Sequence, residues 1–177
     1  LYRIMYRKRY GDTQITRPYM DLEKTSVCYD HAKGMFTGLQ ALWGGKRVLI
    51  IEGEKTRLGV NNDLFVNCKS IDRVLCPAVN SWDFYAEIYN KVLKLAVNYE
   101  IILIALGPTA TVLAYDLGKA GYWAIDIGHL DVEYEWFRQR AQKKIPLMDR
   151  YVNEAPSEVN PVEEGNAYYD QVICKIG

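Results

Sequence analysis

The sequence predicts an α/β domain: an open, mainly parallel, Rossmann-like sheet with helices on both faces. Three observations carry that expectation. Four short apolar runs, RVLIIEG at 47–53, RVLCPA at 73–78, IILIALG at 101–107 and YWAIDIG at 122–128, each end on a glycine, a proline or a small residue. None alternates apolar with polar residues, so they suit parallel strands covered on both faces. The segments between them have helical spacing, and strand–helix–strand succession implies crossovers in one sheet.

In chain order, the opening stretch LYRIMYRKRYGD begins with Leu1 and reads as the start of a piece of a longer protein. Its Arg3, Arg7, Lys8 and Arg9 read first as a solvated basic flank and second as a phosphate contact. After the first strand, IEGEKTRLGVNNDLF at 51–65 offers Asn61, Asn62 or Asp63 as the cap of a further helix. The stretch SWDFYAEIYNKVLKLAVN at 81–98 reads as a helix capped by Ser81, and TATVLAYDLGKAG at 109–121 as a helix closed by Gly121. NEAPSEVNPVEEGN at 153–166 is rich in Pro, Glu and Asn and reads as a surface connection, with a lid as the alternative. YDQVICKIG at 169–177 supplies a last strand.

Composition removes several functions. With 177 residues, 49% of them apolar, the chain forms one domain with a continuous core. Its 22 basic and 22 acidic residues cancel, so no global field draws it to nucleic acid or to an anionic membrane. Cys28, Cys68, Cys76 and Cys174 form no C-x-x-C pair, which excludes a structural zinc pattern and fits reduced thiols in a cytoplasmic protein. No apolar stretch approaches the roughly 20 residues of a membrane span. G-x-G-x-x-G and G-x-x-x-x-G-K-[ST] are both absent, which counts against classical dinucleotide and P-loop enzymes. The G-x-S-x-G elbow of many hydrolases is absent too.

In an open α/β sheet, ligands bind outside the carboxyl ends of the strands, so the loops EGEKTRLG, PAVNS, GPTAT and GHLDVE form a candidate rim. Gly107 and Pro108 lead into a helix with Thr109 and Thr111 in its first turn, an arrangement able to hold phosphate oxygens on backbone amides. The competing reading is that Thr109 only caps that helix and Pro108 only starts it. Arg57 offers a planar fork of donors to a phosphate, or pairs with a neighbouring Glu52 or Glu54. In DIGHLDVEYEWF at 126–137, His129 stands beside Asp131, Glu133 and Glu135. If a helix starts near Leu130, Asp131 and Glu135 share a face; if the start is extended, Asp131 and Glu133 converge. Either pair suits a hard divalent cation or a general base, although acids in a first helical turn are also favoured by the dipole alone.

TRPY at 16–19, IEGEKTRLGVNNDLF, ALGPTATVLAYDLGKAGYWAIDIGHLDVEYEW and YVNE at 151–154 together resemble the GT-D fold glycosyltransferases, first catalogued as a domain of unknown function. The resemblance covers most of the chain. It implies a GT-D domain that transfers a hexose, glucose above all, from a UDP-sugar to a glycan or glycoprotein of bacterial surfaces, with Mn²⁺ or Mg²⁺. On its pattern, Arg17, Glu52, Arg57, Gly59, Asn62 and Asp126 line the donor pocket, and Gly107, Pro108 and Thr109 hold the diphosphate. Asp131 and Glu133 match the family's D-x-E metal motif, with His129, Asp131 and Glu135 as the catalytic groups and Glu135 the first choice of base. Another copy of the chain or another glycosyltransferase is the protein partner it leaves open. Full-length members also carry an upstream Gly-Asp-Gly-Glu segment, for which YGDTQ at 10–14 is a poor substitute. The alternative is therefore a noncatalytic nucleotide-binding or assembly domain of the same fold.

Overall fold

The computed structural model describes residues 17–23, 25–156, 158–162 and 165–177; the basic flank and YGDTQ lie outside them. Five parallel strands form one sheet: β1 (Arg47–Gly53), β2 (Ser70–Cys76), β3 (Ile101–Ala105), β4 (Ala124–Asp126) and β5 (Val172–Lys175), in the order β4-β3-β1-β2-β5. The helices are α1 (Ser26–Trp43), α2 (Tyr85–Ala96), α3 (Pro108–Lys119), α4 (Leu130–Arg138) and α5 (Ala167–Gln171).

Strand alternation sorts the core into two layers. Val48, Ile50, Ile101 and Leu103 point to one face and pack with α1 and α4 through Phe36, Trp43, Val132 and Trp136. Leu49, Ile51, Ile102 and Ile104 point to the other and pack with α2 and α3 through Ile88, Val92, Leu113 and Leu117. Burial on both sides is why these runs lack polar alternation. The expected fold class is the observed one.

Four local expectations change. α1 was not anticipated; Thr25 caps it by accepting from the Cys28 N–H at 3.3 Å, and its stripe of Ala32, Phe36, Leu39 and Trp43 is buried. No helix follows Asn61–Asp63: the Asn62 Oδ1 accepts from the Leu64 N–H at 3.0 Å and closes a turn instead. Ser81 does not cap α2. It opens a 3-10 turn, Ser81–Phe84, and its hydroxyl donates to the Pro77 carbonyl at 2.7 Å. The 169–177 run divides into α5, capped by Asn166, and β5.

From β1 the chain passes to β2 on one side, then returns to β3 on the other side of β1. That reversal opens a crevice at the carboxyl ends of β1 and β3, where the turns leading into α3 and α4 begin.

Candidate functional site

A cavity of about 730 Å³ occupies this crevice. Its wall comes from the end of β1 and the loop after it (Gly53, Thr56), the loop after β2 (Asn80, Ser81, Trp82), the end of β3 and the start of α3 (Ala105, Gly107, Pro108, Thr109, Thr111), the end of β4 and the turn into α4 (Asp126, His129, Asp131), and from Tyr151 and Asn153.

The turn after β3 opens directly into the cavity. Gly107 takes φ 54 and ψ −142, a conformation essentially confined to glycine, and Pro108 occupies the first helical position of α3. No side chain caps α3, and its first turn holds no acid. Thr109 is therefore not the cap. The positive end of the helix dipole meets the cavity with no acid in the helix's own first turn, which suits an exogenous anion. Beside it, Asp126 accepts from the Thr111 hydroxyl at 2.7 Å and from the Gly128 N–H at 3.0 Å, so its carboxylate is oriented before any ligand arrives.

The turn after β4 is organised otherwise. The segment from Leu130 is helical, so Asp131 and Glu133 diverge. Asp131 Oδ1 accepts from the Gly59 N–H and the Asn62 Nδ2, both at 2.9 Å, and Oδ2 accepts from the fully buried Arg150. Gly59 is required for this contact: it has φ 74, and a Cβ would stand 2.5 Å from Phe65. Burial alone would lower the Arg150 pKa, but Asp131 and Asp149 raise it, so the guanidinium stays charged. Glu133 turns the other way, where its Oε2 accepts from the Tyr19 and Met20 N–H groups at 3.0 and 2.6 Å and its Oε1 lies 3.6 Å from Arg17. Burial pushes the Glu133 pKa up against those hydrogen bonds.

These positions bear on a divalent cation. The Asp131 oxygens are spanned by Gly59, Asn62 and Arg150, while Glu133 faces the 17–20 segment and is absent from the cavity wall. The two carboxylates do not fit one ion in this arrangement. No cluster of three His, Cys, Asp or Glu side chains with metal-binding geometry occurs among the described residues.

Of the remaining expected residues, His129 lines the cavity, with its Nε2 3.3 Å from Glu154. Burial lowers its pKa below the ordinary 6.5, aided by Arg17 and Lys144 and opposed by Glu154 and Asp126. Burial tends to raise the Glu154 pKa, but the Arg17 hydrogen bond and the His129 and Arg17 charges hold it below 4.5. Arg57 donates from Nη1 to the Asp149 and Asn160 carbonyls at 3.0 and 2.5 Å and fastens the 147–162 connection rather than facing the cavity. Glu52 is buried, accepting from Arg73 at 2.5 Å and the Leu58 N–H at 2.7 Å. Glu135 accepts from Arg138 at 2.9 Å and is also absent from the wall. Thus Gly107, Pro108, Thr109, Asp126, His129 and Asp131 come together around the cavity. Arg17, Glu52, Arg57, Gly59, Asn62, Glu133 and Glu135 surround it as supports.

Sequence reasoning singled out none of Thr56, Trp82, Tyr151, Asn153, Arg150 and Glu154 as site residues. Thr56 lay in the rim loop EGEKTRLG, Trp82 directly follows PAVNS, and Tyr151, Asn153 and Glu154 lie in YVNE, which carried only the resemblance; Arg150 had no signal, because its partner Asp131 lies 19 residues away.

The glycosyltransferase GT-D fold family model matches residues 2–155. A probable glycosyl transferase of Streptococcus gordonii is 42% identical over 168 residues, covering 94% of this chain and 24% of that protein. The glycosyltransferase GlyD of Streptococcus pneumoniae serotype 4 is 36% identical over 94% of this chain and 20% of its own length. The chain thus spans a quarter or less of these two relatives. A solved structure described as a highly conserved domain of unknown function with a distinct glycosyltransferase fold superposes with a TM-score of 0.87 at 42% identity, covering 96% of this chain and 60% of that one. A new glycosyltransferase from Streptococcus sanguinis superposes at 0.84 with 41% identity, over 95% of this chain and 61% of its own.

Proposed function

The chain belongs to the GT-D glycosyltransferase family, and we propose that its rim cavity binds a nucleotide sugar, UDP-glucose on the family resemblance, and transfers the hexose to a hydroxyl of a glycan or glycoprotein. One observation carries this reading: an acid-free helix N-terminus with a glycine turn opens into a cavity at the switch point of the sheet. Glycosyl transfer is limited by departure of the nucleoside diphosphate. The α3 amides and dipole, aimed where that charge develops, lower the barrier without reorganising during the step.

The acceptor hydroxyl loses a proton as it attacks the anomeric carbon. Glu135 was the first choice for that role, but its pairing with Arg138 outside the cavity shifts the role to His129. Its lowered pKa keeps it neutral near neutral pH, and the ionised Glu154 beside Nε2 favours the proton there, leaving Nδ1 basic. Asp126 is available to a sugar or ribose hydroxyl. Asp131 supports the site by holding the 57–62 loop and Arg150 in place.

No step is routed through Mn²⁺ or Mg²⁺, because Asp131 and Glu133 face separate partners. The test is UDP release from UDP-glucose, with and without acceptor and with Mn²⁺ titrated in. Release that depends on Gly107 and His129 supports the transferase. Release that appears only with Mn²⁺ and vanishes in D131A and E133A together restores the metal role. The noncatalytic alternative draws on the internally satisfied carboxylates of α4, and calorimetric silence toward UDP would favour it.

A further inference from the structure

We propose that Trp82 is the nucleobase platform of the cavity, so that the donor lies with its base over the end of β2, its diphosphate at Gly107 and its sugar toward the loop after β4. This rests on the nucleotide-sugar reading above and fixes the direction in which the donor lies.

The loop after β2 is shaped to hold an aromatic ring at the rim. Asn80 turns the chain in the left-handed region (φ 55), the Ser81 hydroxyl closes back on the Pro77 carbonyl at 2.7 Å, and the Asp83 N–H reaches the Asn80 carbonyl at 3.0 Å. Trp82 emerges 56% exposed in the cavity wall. Tyr85 braces the indole, with ring centroids 4.8 Å apart and planes inclined by 30°. Tyr85 is itself tied to α3 by its hydroxyl, which donates to Asp116 at 2.5 Å. The indole is thus supported from one side and open to the cavity on the other. A large aromatic left more than half exposed in a braced position is suited to stack a flat ligand.

Position supplies the second argument. β2 lies two strands from β3, so its end stands about 10 Å from the glycine turn, a separation that a nucleoside bridges. Thr56 and Asn80, from the β1 and β2 loops, provide hydroxyl and amide groups along that path. On the opposite side, β4 is adjacent to β3 and brings Asp126 and His129, polar groups matched to sugar and acceptor hydroxyls and offering no stacking face of comparable size. The sheet order therefore sets Trp82 at the β2 end, the α3 amides in the middle and Asp126 and His129 at the β4 end; Tyr151, the other exposed aromatic of the wall, is held by its N–H on the Lys55 carbonyl of the loop after β1, away from the brace that fixes Trp82.

The test titrates UDP and inorganic pyrophosphate into the wild type, W82A and W82F, by calorimetry and by tryptophan fluorescence. Trp43 and Trp136 are fully buried, and Trp123, which is 47% exposed, does not line the cavity. Quenching by UDP should therefore disappear in W82F and persist in W123F. W82A is expected to lose roughly 5- to 150-fold in UDP affinity, the range of one base–aromatic stack, with pyrophosphate affinity unchanged and W82F close to the wild type. A wild type that binds UDP alongside a W82A variant that binds it equally well overturns this assignment alone. An equal loss of UDP and pyrophosphate also overturns it, since the ring would then only shape the rim. A wild type that binds no UDP overturns the donor reading together with this one.

Discussion

The turns after β3 and β4 lie side by side on the rim, and both lead from a parallel strand into a helix. At α3 the first turn carries no acid and no side-chain cap, and Gly107 clears the approach. At α4 the first turn carries Asp131 and Glu133, both buried and both hydrogen-bonded to distant backbone. The same helix-end electrostatics is left open to an external anion in one case and satisfied internally in the other. At α4 the protein supplies its own anions and uses them as clamps. Asp131 gathers the 57–62 loop and Arg150; Glu133 gathers the 17–20 segment. One turn leaves its helix end open to the cavity, as the proposed donor site needs, and its neighbour holds the walls of that cavity.

Removing the clamp should have the largest effect on stability. D131A removes one of the two carboxylates paired with the buried Arg150 and leaves the Gly59 N–H and Asn62 without their acceptor, a loss of about 3–5 kcal/mol for breaking a buried pair, read as a lower midpoint in urea unfolding. An unchanged midpoint would mean that Asp149 alone satisfies Arg150 and that the clamp is not structural. G107A acts on the open turn. No atom lies within 4 Å of the added methyl, so the cost is backbone strain of about 1–3 kcal/mol. Any shift of the turn moves the amides that would face phosphate, so UDP affinity should fall by more than the loss of stability accounts for. The opposite ranking would erase the distinction between the two turns.

E133A is expected to be milder, because it removes one buried acceptor shared by the Tyr19 and Met20 N–H groups, at about 1–3 kcal/mol. Thermal unfolding should shift down while UDP affinity per folded molecule is retained. Loss of UDP binding in a stable E133A protein would move Glu133 from clamp to ligand site.

The two turns were not equally legible in the sequence. GPTATVLAYDL announces its conformation locally, because glycine and proline act on their own backbone within a residue or two. HLDVEYEW announces only that acids are concentrated there. Whether Asp131 and Glu133 converge depends on helical phase, and what each binds depends on Arg150 and on the 17–20 segment, over 100 residues away from Glu133 for the latter. Strands were readable for the same reason as the first turn: RVLIIEG and IILIALG need no partner to declare two-sided burial. β2 was read three residues short because its amino end, Ser70–Asp72, is incompletely buried and carries Asp72. α1 went unread although its apolar stripe was present, since Gly34 and Gly38 and many polar residues interrupt the run.

The smallest expected effect concerns His129, which stands between the two turns. Its folded pKa is below 6.5, so between that value and the ordinary one the unfolded chain binds more protons than the folded chain, and stability falls as pH drops below about 6.5. Glu154, whose folded pKa lies below 4.5, adds a second loss in the same direction, beginning at lower pH. H129N should therefore flatten the upper part of the acid profile and leave the lower part, as followed by unfolding midpoints from pH 7 to 4. If neutral His129 also accepts the proton of the acceptor hydroxyl, the acid limb of kcat/KM must lie below 6.5, following the folded pKa. A limb at or above 6.5 with an unaltered stability profile would leave His129 a partner of Glu154 alone, and the polar end of the cavity would bind sugar without taking its proton.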